Sequence, residues 1–161
     1  VDAEFLFLAL DRDDDVRKLL SLECTGAFVG EAREVPKSVI DTLSGRVGRY
    51  PPMKYGGATW AGVIMDTNPP DNEHWWYRAA ELDRPHGWEF FRQPAGDGPD
   101  AENIANLPAG YYDRVKAGKD PDWIKVYVSG EYGYLVEGKP VYPMFRDSVH
   151  VASEVLAPAR T

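Results

Sequence analysis

The sequence is poor in the residues that build several common kinds of site. It has one cysteine, Cys24, and three histidines among 161 residues. A single cysteine excludes an internal disulfide and a multi-cysteine zinc site, and the histidines lack the paired spacing of zinc ligands. No serine lies in the G-x-S-x-G turn of a hydrolase nucleophile. The low cysteine content is typical of a reducing compartment, so we expect a cytoplasmic location.

Basic residues and long apolar runs are also scarce. Lys and Arg number 18 against 26 Asp and Glu, which gives a formal net charge of −8. Such a balance provides no basic footprint for nucleic acid, so these residues are not expected to form the main contact with DNA. The apolar run at 4–10 is shorter than the ~20 residues of a membrane span, and we expect no membrane association. A hydrophobic content of 43% is enough for the core of one domain.

The two ends of the sequence resemble the interior of a longer chain. The sequence starts inside an apolar run without an initiator methionine, and residues 155–161 read as a linker. We therefore expect this chain to be a piece of a larger protein.

Apolar runs alternate with helical patterns along the chain. The predicted strands are 5–10, 25–32, 59–66 and 88–92, and the predicted helices are 36–43 and 74–82. Residues 16–22 could form a short helix or a turn. This alternation predicts an α/β domain with a mainly parallel sheet. Residues 111–116 and 122–132 carry apolar side chains at helical spacing but are rich in residues that also suit a strand, so their pattern alone leaves both open.

An acidic residue follows the second predicted strand directly. Glu31 comes after Ala27, Phe28, Val29 and Gly30. Nucleotide hydrolases place a carboxylate at the end of a buried strand to orient the attacking water. The strand resembles a Walker B strand, although Gly30 stands where the usual aspartate would be. The alternative is that Glu31 is an ordinary solvated loop residue.

Several short motifs occur in a fixed order along nearly the whole chain. They are LSLE at 20–23, GEARE at 30–34, GRVGRYP at 45–51, DTNPP at 66–70, HWW at 74–76, DWIK at 122–125 and GEYG at 130–133. Each is weak alone, but the ordered set resembles the large subunit of tailed-phage DNA-packaging terminases.

This resemblance implies a fold and a domain organisation. Residues 1–132 would be the C-terminal portion of the ATPase domain, a partial P-loop core of the additional-strand type with a three-layer α/β/α arrangement. Residues 133–161 would be a linker toward a nuclease domain. The phosphate-binding loop and the nuclease would lie outside this chain, and 111–116 and 122–132 would be helices.

The resemblance also implies a function. The parent protein would be a hydrolase of a phage or prophage that uses ATP and Mg²⁺ to translocate double-stranded DNA into a procapsid, in the host cytoplasm. Its partners would be DNA, the portal protein, the small terminase subunit and other copies of itself in a ring. The present chain alone is expected to hydrolyse little or no ATP, because the residues that grip the β- and γ-phosphates are outside it.

Three residues receive roles at the nucleotide from the resemblance. Glu31 would be the catalytic carboxylate of ATP hydrolysis. Thr67 and Asn68 match the coupling motif, in which a polar side chain senses the γ-phosphate and passes its loss into domain movement. The alternative for Thr67 and Asn68 is turn formation, since Asn before two prolines ends a strand whatever the function.

Three arginines are further candidates. Arg17, ahead of the acidic strand, would act on the ATP of a neighbouring subunit, and the alternative is an exposed loop arginine. Arg46 and Arg49 lie in a glycine-flanked loop and could contact phosphate of either ATP or DNA.

The segment 133–140 contains a pattern similar to a phosphate-binding loop. Residues 133–140 almost match the phosphate-loop pattern G-x-x-x-x-G-K-[ST], but Pro140 supplies neither a hydroxyl nor an N–H, so we predict a turn.

The alternative function is a non-catalytic terminase-like module that binds a protein partner through Trp75, Trp76, Trp123 and proline-rich loops. The replacement of aspartate by Gly30 favours that alternative.

Overall fold

The computed structural model describes residues 3–10, 12–133 and 147–152. Within them, short helices combine with a small parallel sheet, which is an α/β arrangement. The strands are β1 (Ala27–Val29) and β2 (Val63–Met65). The helices are α1 (Val16–Leu19), α2 (Lys37–Ser44), α3 (Trp75–Tyr77), α4 (Tyr111–Lys116), α5 (Pro121–Tyr127) and α6 (Asp147–His150). Short 3₁₀ turns occupy Asp13–Asp15, Ala32–Glu34, Met53–Tyr55 and Ile104–Asn106.

The sheet is parallel, as the alternation of strands and helices predicts. β1 pairs with β2 in the register Ala27 with Val63, Phe28 with Ile64 and Val29 with Met65. Parallel neighbours need a long crossover, and the connection between these strands contains α2. The carboxyl ends of both strands therefore lie at the same edge of the sheet.

Helix α2 supplies half of the core cluster of buried residues. It begins after Pro36, whose fixed φ suits a helix start, and it ends at Gly45, which confirms the helix predicted at 36–43. Val39, Ile40 and Leu43 share its buried face. The cluster of buried residues comprises Leu19, Val29, Ala32, Val39, Ile40 and Leu43. Burial of a side chain such as Ile40 stabilises the fold by about 1.5–3 kcal/mol.

Two predicted strands are wrong. Residues 5–10 and 88–92 have no regular secondary structure. In the first segment Phe5 is 80% and Phe7 is 90% exposed, so this run is not buried either. A strand requires a hydrogen-bonding neighbour, and the described residues offer none to these segments, although their apolar composition suits a strand.

The part of the chain after β2 contains helices in the segments where they were predicted. α3 starts at Trp75 with His74 as its N-cap, and it continues as a π-helical turn over Arg78–Asp83, within the helix predicted at 74–82 and one residue beyond it. α4 and α5 show that the ambiguous segments are helical, although α5 ends at Tyr127, before residue 132. Asp120 caps α5 by accepting from the amide of Asp122, which satisfies one of the unpaired amides of the first turn.

One face of the sheet bears no helix within the described residues. Phe28 is 66% and Ile64 is 57% exposed, and these two residues are paired across the strands. Parallel sheets usually have both faces covered, so the three-layer arrangement stays a prediction. None of the described helices combines the length and apolar character needed to cross a bilayer. The predicted turn at 133–140 and most of the predicted linker 133–161 lie outside the described residues.

Candidate functional site at the carboxyl edge of the sheet

The loops that follow β1 and β2 are joined by hydrogen bonds. The amide of Glu31 donates to Oδ1 of Asp66 at 3.1 Å, and the amide of Ala32 donates to the carbonyl of Asp66 at 2.9 Å. The amide of Asp66 in turn donates to the carbonyl of Val29 at 3.2 Å. The structure thus brings Glu31 beside the segment 66–68, as expected for residues that follow adjacent parallel strands.

Glu31 adopts a backbone conformation that is rare for a residue with a side chain. Its φ is 51° and its ψ is 49°, in the left-handed region. That conformation raises the energy of a non-glycine residue by roughly 1–2 kcal/mol. Glu31 is exposed, and its carboxylate forms no hydrogen bond or ion pair with any residue that the structure describes. An exposed, unpaired carboxylate held in a strained turn is available to a ligand or to water.

Thr67 and Asn68 are half-buried directly after β2. Oγ1 of Thr67 accepts from the amide of Arg33 at 3.2 Å and donates to the carbonyl of Asn68 at 3.0 Å. The Thr67 hydroxyl therefore helps hold the loop of β1 against the loop of β2. This is the geometry that turn formation requires, and it also places both predicted coupling residues at the edge that carries Glu31.

Helix α3 fixes the outer side of the same loop. The imidazole Nδ1 of His74 accepts from the amide of Trp76 at 3.1 Å, so its Nε2 carries the proton that is donated to the carbonyl of Arg33 at 3.0 Å. Nε1 of Trp75 donates to the carbonyl of Val35 at 3.2 Å. His74 and Trp75 thus position this edge by contacting backbone.

Two further residues at this edge received no separate role from the sequence. Asp66 presents a carboxylate at the end of β2. An acid directly after an apolar run is a pattern from which this residue could have been identified in the sequence. Arg33 pairs through Nε with Glu34 at 3.0 Å, and its Nη1 is a buried N–H group without a hydrogen-bond partner among the described residues. An unsatisfied buried donor is destabilising by about 1–3 kcal/mol, and no local pattern in the sequence could have revealed it.

Arg46 and Arg49 lie at the opposite edge of the sheet. The carbonyl of Arg46 accepts from the amide of Cys24, and the amide of Arg49 donates to the carbonyl of Cys24. Cys24 precedes β1, whereas Glu31 follows it. At about 3.3 Å per extended residue, the two edges are up to roughly 20 Å apart. The structure does not bring this pair of arginines to Glu31 within one chain.

Arg17 is also separate from the carboxyl edge. Its side chain is 82% exposed on α1 and lies 3.8 Å from the carboxylate of Asp14. Within the described residues, no hydrogen bond or ion pair joins Arg17 to Glu31, Thr67 or Asn68.

The edge carries two acidic residues, Glu31 and Asp66, which are joined by the hydrogen bond from the Glu31 amide to Oδ1 of Asp66. Nowhere in the described ranges do three or more His, Cys, Asp or Glu side chains gather in a way that could hold a metal ion. Elsewhere in the chain, burial raises the pKa of the Cys24 thiol, which disfavours thiolate chemistry at this residue.

Comparison of the chain with protein-family models, with curated proteins and with solved structures found no match. A relation to terminases therefore stays a prediction, which depends on the ordered motifs.

Proposed function

We propose that this chain is part of the large subunit of a viral DNA-packaging terminase, an ATPase that drives double-stranded DNA into a procapsid. The observation that carries the proposal is the position of Glu31. Its carboxylate, which has no partner among the described residues, follows β1 at the edge where Asp66 and Thr67 follow the parallel strand β2. This is the edge of a parallel sheet where nucleotides and catalytic residues collect in α/β proteins.

In this proposal Glu31 orients the water that attacks the γ-phosphate. Thr67 and Asn68 respond to that phosphate at the neighbouring strand. The Thr67 hydroxyl accepts from the amide of Arg33, two residues beyond Glu31, so a displacement at Thr67 is transmitted to the loop that carries the catalytic carboxylate. Arg33 offers its buried Nη1 as a donor close to the same loop.

Asp66 is the residue that compensates for Gly30. Its Oδ1 accepts from Glu31, while its Oδ2 forms no hydrogen bond among the described residues. Protein sites hold Mg²⁺ through one or two carboxylates together with substrate phosphates, so Asp66 and Glu31 fit part of such a site. A bound Mg²⁺ would supply neutralisation of phosphate charge.

The parent protein would also contain the phosphate-binding loop and the nuclease domain. Its partners would be other copies of itself, the portal protein, the small terminase subunit and DNA. Arg17, Arg46 and Arg49 lie away from Glu31 of the same chain, so a role for any of them at phosphate requires a neighbouring subunit's ATP, or DNA.

The decisive experiment is ATPase turnover of the intact subunit with Glu31→Ala. We expect a loss of at least about 100-fold, because water is no longer oriented for attack. Glu23→Ala is the matched control, since Glu23 is an exposed acid that precedes β1 at the other edge. Unchanged turnover in a folded Glu31→Ala protein would reject the catalytic assignment.

The role of Asp66 can be tested by moving the carboxylate. Asp66→Asn should raise the Mg²⁺ concentration needed for half-maximal turnover. A Cβ at Gly30 would lie 3.7 Å from Oδ1 of Asp66 and 3.6 Å from the ring of Phe28, so Gly30→Asp is sterically acceptable. Adding Gly30→Asp to Asp66→Asn should restore the Mg²⁺ response. If Asp66→Asn leaves that response unchanged, Asp66 does not contact the ion.

The alternative function is a non-catalytic terminase-like module that binds a protein partner. Gly30 favours it, because the usual aspartate is absent. Trp75 and Trp76, however, are half-buried against the core and provide little surface for a partner. Trp123 packs on Tyr127 at 4.7 Å between ring centroids, with Lys119 5.0 Å from its ring. Absence of ATPase turnover in the intact wild-type protein would favour this module.

A further inference from the structure

A cleft of about 640 Å³ opens beside the segment that follows β2. Thr67, Asn68 and Pro69 form one wall, and the turn after α3 and the extended segment 88–96 form others. The hydrogen bond from the amide of Gly96 to the carbonyl of Val128, at 2.8 Å, ties that segment to the end of α5. We call this space the aromatic cleft, because it is lined by the rings of Trp76, Trp88, Phe90, Phe91, Tyr112 and Tyr132.

The rings of the cleft are partly fixed and partly free. Trp88 stacks on Phe90 with 5.9 Å between centroids and 27° between planes, and Trp76 meets Phe90 edge-on at 5.9 Å. These three rings are half-buried and hold each other in place. Phe91 is 90% exposed. An exposed ring beside a packed aromatic wall gives a flat ligand a surface on which to stack.

Two arginines share one carboxylate at the cleft. Arg92 lies 3.3 Å and Arg84 lies 3.9 Å from the carboxylate of Glu81, which also accepts from the hydroxyl of Tyr132 at 2.7 Å. The Arg92 guanidinium lies 5.2 Å from the ring centroid of Tyr132. Arg84 has a φ of 39°, a strained conformation for a residue with a side chain. Both guanidinium groups are largely exposed and can exchange their weak ion pairs for a ligand phosphate.

Three amide side chains complete the lining, those of Asn68, Gln93 and Asn103. An amide provides a donor and an acceptor side by side, which matches the edge of adenine. A flat wall, amide groups and exposed guanidiniums are together complementary to a base that carries a phosphate. We propose that the aromatic cleft binds a nucleoside phosphate, either a free nucleotide or a nucleotide of a single strand.

The affinity should be modest. Glu81 and a second acid, Glu102, balance the two arginines that line the cleft, so no long-range attraction assists binding. Stacking of one base and contact with one phosphate are both weak interactions. Together they should give a Kd on the order of 0.1–10 mM for a mononucleotide.

Glu31 is not among the residues that line the cleft, whereas Thr67 and Asn68 are, so the cleft adjoins the proposed ATPase edge without including its carboxylate. The test is titration of the 161-residue chain with AMP, adenosine, ribose 5-phosphate and a short single-stranded oligodeoxyadenylate, followed by tryptophan fluorescence and NMR shifts. AMP should bind more tightly than adenosine or ribose 5-phosphate. Tighter binding of the strand than of AMP identifies a strand as the source, and binding of AMP without the strand identifies a free nucleotide.

The variants are chosen so that the fold survives. Phe91→Ala removes an exposed ring, and Arg84→Gly removes a guanidinium while relieving the positive φ. Each should weaken AMP binding about fivefold or more. The controls Tyr55→Ala and Arg78→Ala remove an exposed ring and a weakly paired arginine outside the cleft, and they should change the affinity less than about twofold.

Three results would overturn the proposal. The first is no detectable binding of AMP or of the strand at about 10 mM, the upper end of the expected range of Kd. The second is equal weakening by the cleft variants and their controls. The third is loss of AMP binding in Glu31→Ala with normal binding in Phe91→Ala, which would place the nucleotide at the sheet edge instead.

Discussion

Glu31 allows the role of its backbone to be separated from the role of its carboxylate. The comparison is between Glu31→Gly and Glu31→Ala, which both remove the carboxylate and differ only by a Cβ. At a φ of 51°, the Cβ is unfavourable by roughly 1–2 kcal/mol. Glycine gains about 0.4–1 kcal/mol of extra chain entropy when unfolded. The free energy of unfolding should therefore be about 0.5–1 kcal/mol higher for Glu31→Gly.

Urea denaturation of the two variants measures this difference directly. In a chain of this size, it also corresponds to a rise in Tm of roughly 1–4 °C. Asp41 is the control, since it is an exposed acid inside α2 with ordinary helical geometry. There the order should reverse, with glycine less stable than alanine by about 0.5–1 kcal/mol. A Glu31→Gly protein less stable than Glu31→Ala would refute the reasoning that residue 31 is strained.

Further predictions concern the core, the joined loops and one surface carboxylate, and urea denaturation measures each. Ile40→Ala should lower the free energy of unfolding by about 2–5 kcal/mol. Ile64→Ala, at an exposed position, should lower it by less than about 1 kcal/mol. Equal losses in the two variants would contradict the burial of Ile40 in the core. Thr67→Val leaves a backbone N–H without its acceptor and should be destabilising by about 1–3 kcal/mol, while Thr67→Ser should retain most of the stability. Equal stability of the two variants would show that the Thr67 hydroxyl does not stabilise the joined loops. The hydrogen bond from Lys18 lowers the pKa of Asp15 from 3.8, so wild type should be more stable than Asp15→Asn near neutral pH. That advantage should disappear as the pH falls through the lowered pKa, and a difference independent of pH would show that the ion pair is not its cause.

The sequence predicted those elements whose signals are local. Helix α2 has a proline at its start, a glycine at its end and three apolar residues on one face, so it required no knowledge of the rest of the chain. Segments 5–10 and 88–92 failed because their apolar composition specifies a tendency to pair, and pairing depends on a partner elsewhere. The helical nature of Tyr111–Lys116 followed from the resemblance and not from the pattern.

The candidate site was predictable only in part, for the same reason. The position of Glu31 after an apolar strand was visible, and parallel strands place it near residues 67 and 68. The hydrogen bond between Asp66 and Glu31 depends on the register of the two strands, which the sequence does not specify. That Nη1 of Arg33 has no partner within the described part of the chain depends on what surrounds it after folding. The separation of Arg46 from Glu31 likewise follows from which edge the loop reaches.

The hydrogen bonds between the loops after β1 and β2 also have a mechanical consequence. Hydrogen bonds of 2.9–3.2 Å join the backbone around Glu31 to Asp66 and Thr67, and a relative shift of about 1 Å would weaken them sharply. The two loops should therefore translate as a single stiff unit under load, with strain collecting in the longer connections on either side. A force applied at Asn68 would therefore displace the loop that carries the Glu31 carboxylate by nearly the same amount.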